Sequence, residues 1–433
     1  MGFINLVPSI YYNVLQYGAT GNGSTDDTAA INAAITAAGN AGGGVVFLPD
    51  GTYKTSGILL LNQNNVTLAG AGWGTVIKPA SGANFDVIGQ VLPSVNAPND
   101  VEGLVIQDLK IDGSNMSGTT AGQGNGIHFW GAFSPVIHHV RMTNIPNWCI
   151  LLEGSTTSGY RAHISYCRLE NGVAGIRTGS GFEVNFITNN SLVTGSGNCA
   201  ALQPQYGSQS TDGYNMWLNT GSNMVTDNTF GHNFADVRAS VLLQNTLQRL
   251  IGNHWDSPPY QALVIQGTRN LIIGNNIDHA NNGQAVEMVT LQNSNNVIVG
   301  NSFDNDDQSS GHFTYDILES GGPYTGNMIA DNWFRAGASG VISQNAGSTN
   351  KIHHNTGYNP VGSITAPAIP ASTTAYTNSF GVDCMVIVSG GTVTVIAIGG
   401  VSTGLTSGAF RVPAGQTITL TYSSAPTWKW FGD

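Results

Sequence analysis

The sequence repeats a short apolar run that leads through a polar step into an asparagine. Examples are FITNNSL, MVTDNTF, LIGNHWD, IIGNNID, VIVGNSFD, MIADNWF and KIHHNTG. The recurring asparagines stand 22 to 38 residues apart, at Asn190, Asn228, Asn253, Asn275, Asn301, Asn332 and Asn355. Short β runs at such a period predict a solenoid, because each unit can bury its apolar face only against its neighbours.

Two further patterns identify the kind of solenoid. Leu109, Val140 and Cys167 continue the asparagine phase toward the N-terminus. A second polar column precedes the first by about ten residues, at Glu153, Thr178, Asn219, Gln244, Gln266, Gln292 and Glu319. Apolar residues alternate around this column as in half-buried strands, and coils of a parallel β-helix stack ~4.8 Å apart. The pattern predicts a right-handed parallel β-helix in which the repeated Asn adopts the left-handed (αL) conformation and hydrogen-bonds along the stack.

Composition supports an all-β globular chain and excludes several other classes. Only 9% of the 433 residues are charged, the net charge is -11, and Gly occurs 57 times. A disordered chain would carry more charge, and a nucleic-acid partner would need a basic cluster that is missing. No apolar run reaches the ~18 residues of a membrane span. The four cysteines show no CxxC spacing, which favours reduced buried thiols.

The chain divides into four predicted parts. Residues 1–12 form an N-terminal arm, and 13–361 form the β-helix. A capping helix over 25–39 is indicated by Asp or Thr N-cap candidates, helical apolar spacing and a Gly stop. Residues 362–372 are predicted to be a linker rich in Pro, Ala and Thr. The alternating strands of 373–433 predict a small β-sandwich module that serves in oligomerisation.

The entry segment carries a family resemblance. The run YNVLQYGATGNGSTDDTAAINAAITAAGNAGGGVVFLPDGTYKTSGILL, from Tyr12 to Leu60, resembles that of pectate-lyase-like right-handed β-helix proteins. This superfamily includes polygalacturonase-related hydrolases, alginate epimerases and phage tail-spike depolymerases. The resemblance covers residues ~12 to ~360 and implies a polysaccharide substrate. The C-terminal run with PTWKWFG looks like a module of phage-associated β-helix proteins, which implies a homotrimer.

Three aspartates form the leading candidate for chemistry. Asp256, Asp278 and Asp304 stand three residues after successive repeat asparagines and should stack about one strand spacing apart. Retaining glycosidases hold two carboxylates ~5–5.5 Å apart, and inverting enzymes ~6.5–9.5 Å. The neighbouring residues that could tune the column or hold an acidic sugar are His254, His279 and Arg335. Solvated turn aspartates and a Ca²⁺ site are alternative interpretations; no cofactor is expected to be required.

A second candidate region surrounds the longest insertion. Its predicted carboxylates are Glu153 and Asp212, and its predicted substrate contacts are His128, Trp130, Arg177, Tyr206, Tyr214 and Trp217. Aromatic faces with a few polar groups suit sugar binding. In a lyase, Arg177 would neutralise charge and His128 or Tyr214 would transfer protons. Packing of the same aromatic residues inside the β-helix is the alternative.

Neither pair of adjacent histidines is predicted to bind a metal. In His138-His139 and in His353-His354, adjacent strand residues face opposite sides of a sheet. The leading functional hypothesis is a phage-type or bacterial glycan depolymerase, with hydrolysis by paired carboxylates favoured over elimination. A uronate lyase or epimerase and a non-catalytic trimeric glycan-binding fibre are the alternatives. The N-terminal residues show no signal peptide, and an extracellular or virion-associated location is expected.

Overall fold

Three parallel sheets wind along the greater part of the chain in a computed structural model. It describes residues 11–90, 101–117, 123–154, 160–179, 181–194, 214–232, 239–256, 258, 261–278, 286–305, 313–335, 337, 339–358, 362–380 and 382–432. Successive strands pass from sheet A to sheet B to sheet C, and each pairs in parallel with strands of the coils before and after it. The right-handed parallel β-helix predicted from the repeat is confirmed.

Sheets A, B and C are defined by their strands. Sheet A consists of Tyr11–Asn13, Gly44–Leu48, Val66–Gly70, Val105–Gln107, Val136–His138, His163–Ser165, Phe186–Thr188, Met224–Thr226, Arg249–Ile251, Leu271–Ile273, Val297–Val299, Thr325–Ala330 and Thr349–His353. Sheet B consists of Asn22–Asp26, Gly51–Thr55, Thr75–Pro79, Lys110–Asp112, Arg141–Thr143, Arg168–Glu170, Ser191–Thr194, Thr229–His232, His254–Trp255, Asn276–Ile277, Ser302–Asp304 and Trp333–Arg335. Sheet C consists of Leu59–Leu60, Ile88–Gly89, Ile127–Trp130, Trp148–Glu153, Ala174–Thr178, Met216–Leu218, Val241–Leu243, Leu263–Ile265, Val289–Leu291, Tyr315–Glu319 and Gly340–Ser343. Val101–Glu102 and Ala132–Phe133 form a small additional sheet.

The corner between sheets A and B contains the predicted asparagine ladder. The Asn275 side-chain oxygen accepts hydrogen bonds from the backbone N and Nδ2 of Asn253, at 2.9 and 3.0 Å. Asn275 in turn donates to Asn301 in the same way, and the pattern runs from Asn190 to Asn355. The ladder Asn itself was predicted to adopt the αL conformation, but the residue before it does so: Gly274, which precedes Asn275, has φ 61°. Since the preceding residue makes the turn, the buried Asn is free to direct its amide along the stack.

A second amide ladder lies at the corner between sheets C and A, and the sequence analysis missed it. Its members are Asn185, Asn223, Gln248, Asn270, Asn296, Asn327 and Asn350. Glu319, which the sequence placed in the second polar column, is buried and accepts hydrogen bonds from Asn350 and Ser348 at the end of this ladder. Thr178 is likewise one residue out of the expected register, because it pairs with Leu152 and Leu218 on sheet C.

One helix covers the first coil, as a solenoid requires. The capping helix spans Thr28–Asn40, whereas 25–39 was predicted, because Asn22–Asp26 extends as a strand of sheet B. Its buried residues are Ile31, Ala34, Ile35 and Ala38. Asp27 precedes the helix, but its carboxylate accepts hydrogen bonds from the Thr20 and Gly21 backbone N–H groups. A short 3₁₀ helix, Val14–Tyr17, precedes these elements.

The C-terminal residues fold into two antiparallel sheets around their own core. One sheet contains Gly362–Ile364, Thr427–Gly432, Cys384–Ser389 and Gly408–Val412; the other contains Ala375–Thr377, Thr417–Ser424, Thr392–Ile398 and Val401–Ser402. Part of the segment predicted as a linker belongs to this module, since Gly362–Ile364 pairs with the last strand. The Trp428 indole also donates to the Pro367 carbonyl at 2.7 Å.

Two negative observations apply to the described residues. In this part of the chain no helix has the length and apolar character needed to cross a bilayer. Cys149, Cys167 and Cys384 are free and buried. Cys199 lies outside the described residues.

Candidate functional site

Strand register on the outer face of sheet C brings several predicted residues together. Trp130 lies opposite Glu153, and Leu151 lies opposite Arg177 on the next coil. Arg177 in turn lies opposite Trp217. Residues that are 23 to 40 positions apart in sequence therefore become neighbours across parallel strands.

His128 is held between two carboxylates at one end of this cluster. Its Nδ1 lies 2.6 Å from Asp86 Oδ2, and its Nε2 lies 3.7 Å from Glu153 Oε2. Asp86 is oriented by hydrogen bonds that its other oxygen accepts from the backbone N and Nδ2 of Asn125. Burial lowers the pKa of the His128 imidazole, but the hydrogen bond to Asp86 and the nearby negative charge of Glu153 outweigh burial and raise that pKa to about 9. The cluster therefore carries an imidazolium at neutral pH.

Arg177 continues the cluster along the stack. Its guanidinium donates from NH1 to Glu153 Oε1 at 3.1 Å, and its central carbon lies 4.7 Å from the centre of the Trp217 ring. The Trp217 indole donates to Gln244 Oε1 at 2.9 Å on the following coil. Two cations, His128 and Arg177, therefore flank Glu153, and the Trp217 ring lies against Arg177. Such a site can hold and polarise a carboxylate ligand.

A polar cavity of about 260 Å³ opens on the same face, on the coils after Trp217. Its lining includes Tyr214, Gln261, Gln266, Glu287, Thr290 and Gln292. Glu287 accepts hydrogen bonds from Gln261 and Thr290, which orient it toward its neighbours. Amide and hydroxyl groups beside an aromatic ring provide the donors and acceptors that sugar hydroxyls need. The cluster and the cavity lie along one line of coils.

The predicted aspartate column lies on a different sheet. Trp255 pairs with Ile277, so Asp256 and Asp278 follow in register at the end of sheet B, and Asp304 continues the column opposite Arg335. His254 Nε2 lies 3.2 Å from Asp278 Oδ2, and Arg335 NH1 lies 3.4 Å from Asp304 Oδ1. The stacking expected from the repeat is present. The column and the sheet C cluster form two separate groups of residues.

Other predicted residues have mixed outcomes. Trp130 donates its backbone N–H to Gln90, and its ring meets the His128 ring edge-on at a centroid distance of 6.2 Å. Tyr214 packs against Trp217 with ring centroids 5.8 Å apart. Asp212, Tyr206 and His279 lie outside the described residues.

Sequence reasoning missed Asp86, Gln244 as a partner of Trp217, and Glu287. Asp86 stands in the segment NFDVIG, where a polar residue directly precedes a short apolar run. An insertion separates this segment from the His128 strand, so the sequence period does not align the two. Among the described residues, no group of three or more His, Cys, Asp or Glu side chains is arranged to hold a metal ion.

Comparison with known proteins identifies a family. A family model described as rhamnogalacturonase A/epimerase, pectate lyase-like matches residues 11–233. These residues include the helix cap, sheet C as far as Trp217, and the whole cluster from Asp86 to Arg177.

Curated relatives match a shorter segment. Mannuronan C5-epimerase AlgE5 of Azotobacter vinelandii is 45% identical over 124 residues, which is 27% of this chain and 12% of that protein. Alginate lyase 7 of the same organism is 43% identical over 124 residues, 27% of this chain and 14% of that protein. The matches thus span about an eighth of these relatives' length.

A solved structure supports the fold alone. DFA-IIIase from Arthrobacter chlorophenolicus A6 superposes with a TM-score of 0.56 at 17% identity, covering 78% of this chain and 85% of that one.

Proposed function

Since the chain belongs to the rhamnogalacturonase A/epimerase, pectate lyase-like family, we propose that it modifies a polymer of uronic acids on the outer face of sheet C. The observation that carries this proposal is the buried Asp86–His128–Glu153–Arg177 cluster. The names of the matching relatives, a mannuronan epimerase and an alginate lyase, refer to enzymes acting on polyuronates. They support the lyase or epimerase hypothesis over the hydrolase hypothesis.

Removal of a proton from C5 is the step that both reactions share. This carbon lies next to the uronate carboxylate. The negative charge of that group keeps the C5–H bond only very weakly acidic, because loss of the proton places a second negative charge on the same group. Neutralising that carboxylate with a nearby cation lowers the barrier, because the developing charge is stabilised where it forms. In the proposed complex Arg177 binds the uronate carboxylate, and His128, buried between Asp86 and Glu153, offsets the charge of these two carboxylates. Glu153 keeps both cations in place through its two oxygens.

Tyr214 is the residue to which we assign proton transfer. It lies on the coil after Arg177, against Trp217, and lines the cavity. The proton leaves C5 and its electron pair enters the carboxylate as an enolate. Delivery of a proton from water to the opposite face inverts C5, which is epimerisation, and the proton taken by Tyr214 passes to solvent. Cleavage of the C4–O bond with protonation of the departing oxygen leaves a C4=C5 double bond, which is elimination.

Substitution of Arg177 tests this proposal. Arg177→Ala should lower kcat on an acidic polysaccharide by at least ~100-fold, because transition-state charge stabilisation of this kind contributes factors of that order. Arg177→Lys should retain part of the activity, since the charge remains and the planar two-point contact is lost. Arg249→Ala is the matched control, because Arg249 is an exposed arginine on sheet A, and it should leave kcat unchanged. Full activity of folded Arg177→Ala would refute the assignment.

Hydrolysis at the aspartate column is the second candidate function. Its specific support is the in-register stacking of Asp256, Asp278 and Asp304, about one strand spacing (~4.8 Å) apart. In that case Asp278→Asn and Asp304→Asn should abolish release of reducing ends, whereas Arg177→Ala should not. The two functions thus predict opposite results for the same set of variants.

A further inference from the structure

A second groove lies at the corner between sheets A and B, away from the sheet C cluster. It has a volume of about 460 Å³ and is lined by Trp73, His139, Tyr166, Arg168, Asn189 and Asp227, among others. The asparagine ladder runs beneath it, since Asn190 also contributes to its lining. The floor of the groove is therefore a rigid, fully hydrogen-bonded part of the solenoid.

Aromatic rings from three coils form the wall of this groove. The Trp73 indole donates to the His139 carbonyl at 3.1 Å, and the two rings lie 5.2 Å apart. Tyr166 meets His138 edge-on, with centroids 5.4 Å apart. Because Trp73, the His138–His139 pair and Tyr166 stand on three different coils, the wall extends along the solenoid axis.

Tyr166 occupies a backbone position that suits its side chain poorly. It has φ 53° and its side chain is 56% exposed. Nine other coils have Asp, Asn, Gly or His at the equivalent turn position, at Asp108, His139, Asn189, Asp227, Gly252, Gly274, Gly300, Asp331 and His354. Small or short polar residues tolerate αL, whereas a bulky residue there is strained. A strained and solvent-exposed aromatic ring gains little for folding, which points to a binding role.

Two arginines beside the rings share one carboxylate. Arg141 and Arg168 both donate through Nε to Glu170, and the Arg141 guanidinium also lies 5.6 Å from the Trp73 ring centre. Among the described residues, the terminal nitrogens of these two guanidiniums have no hydrogen-bond partner. Within the group of Arg141, Arg168 and Glu170 one positive charge is therefore left in excess, while the Asp227 carboxylate lies elsewhere in the lining of the groove.

We propose that this groove is a second, non-catalytic glycan-binding surface that holds a segment of an acidic polysaccharide. Sugar rings stack on Trp73 and Tyr166, and a sugar carboxylate pairs with Arg168 or Arg141. A polymer fits better than a small sugar because the wall spans several coils at ~4.8 Å each. The proposal takes its substrate class from the proposed function, but it does not depend on the reaction at sheet C.

The test measures binding of sodium alginate and of polygalacturonate by affinity gel electrophoresis, with dextran as the neutral polymer. Tyr166→Asn removes the ring and places a residue that tolerates αL, so folding is preserved. It should weaken binding of the acidic polymers roughly three- to tenfold, the range of one aromatic contact. Leu247→Asn is the matched control, since Leu247 also has φ 62° and is 46% exposed but lies on another turn.

The Arg177→Ala background separates this inference from the proposed function. There the sheet C site is impaired, and the remaining binding of the acidic polymers should fall further on adding Tyr166→Asn. If activity were absent from the wild type but Tyr166→Asn still weakened binding, the proposed function would be refuted and the glycan-binding role of the groove would be supported. Unchanged binding in Tyr166→Asn, or failure of the wild type to bind either acidic polymer, would refute the glycan-binding role of the groove.

Discussion

At the scale of single residues, the charge state of His128 links the site to stability. The imidazole is nearly inaccessible to solvent and donates to Asp86 at 2.6 Å. A neutral ring would leave the negative charges of Asp86 and Glu153 without the positive charge that lies between them. The cluster therefore both positions Arg177 and contributes free energy of folding through the proton on His128.

Stability should fall as the pH rises past neutrality because of His128. Its pKa is about 9 in the folded protein and ~6.5 when unfolded, so its contribution is complete below pH ~6.5 and is lost as the pH rises through about 9. The loss should approach ~3 kcal/mol, measured by urea unfolding at several pH values. His128→Asn should remove this part of the pH dependence. An unchanged slope in that variant would contradict the proton assignment.

Asp316 is a residue whose substitution should stabilise the protein instead of destabilising it. This carboxyl is fully buried, and one of its two oxygens, Oδ1, accepts a hydrogen bond from Asn305 Nδ2 at 3.0 Å. Burial outweighs that hydrogen bond and raises the pKa of Asp316 to about 8. Because the unfolded carboxyl ionises near pH 4, stability from this group is complete below pH ~4 and is lost progressively as the pH rises to about 8.

Asp316→Asn should therefore stabilise the protein at pH 7, by ~2–4 kcal/mol, since the amide stays neutral and still accepts from Asn305. The difference from wild type should vanish by pH ~4. Thermal unfolding at the two pH values provides the measurement. A variant less stable than wild type at pH 7 would show that the carboxylate has stabilising partners.

The sequence singled out some members of the sheet C cluster and left others unnoticed. His128, Glu153, Arg177 and Trp217 stood out because charged or aromatic residues interrupt an otherwise apolar strand pattern. Asp86 did not, because its alignment with His128 depends on which strands pair across an insertion. Side-chain partners formed across coils depend on register, which sequence period alone leaves undetermined where coils differ in length.

At the scale of elements, the two amide ladders connect coil to coil. Each buried amide satisfies the backbone N–H of the previous coil and its own donors at once. The first ladder was predictable because its Asn follows a regular apolar strand. The second contains Gln248 among six Asn and stands five residues before the first at the same spacing. The repeat therefore carried a signal for it, which went unused because the ladder residue precedes the apolar strand instead of following it.

Asn275→Ala should destabilise the protein by ~3 kcal/mol or more. The substitution leaves the Asn253 backbone N–H and the Leu250 carbonyl without their buried partners, and each unsatisfied group costs ~1–3 kcal/mol. Denaturant unfolding gives the change in free energy. Asn276→Ala is the control, since the neighbouring Asn276 is half-buried and faces outward on sheet B. Equal effects of the two substitutions would contradict a ladder that holds the coils together.

At the scale of the whole molecule, the solenoid separates functions onto different surfaces. Sheet C carries the buried charge cluster and the polar cavity, whereas the A–B corner carries the aromatic groove. The C-terminal module has a separate hydrophobic core that includes Val386, Trp428 and Trp430. Its role in forming a homotrimer remains a prediction. The β-helix itself was predictable because the repeat enforces one answer, whereas the reaction depends on a few side chains outside that repeat.

The central claim is that sheet C supports chemistry at C5 of a uronate. The most direct measurement incubates the protein with polymannuronate, alginate and polygalacturonate in D₂O, and follows C5 deuteration and ultraviolet absorbance of unsaturated ends. We expect deuterium at C5, unsaturated ends, or both, with loss of the signal in Arg177→Ala. New reducing ends with neither signal, persisting in Arg177→Ala and abolished by Asp278→Asn, would contradict it and move the reaction to the aspartate column.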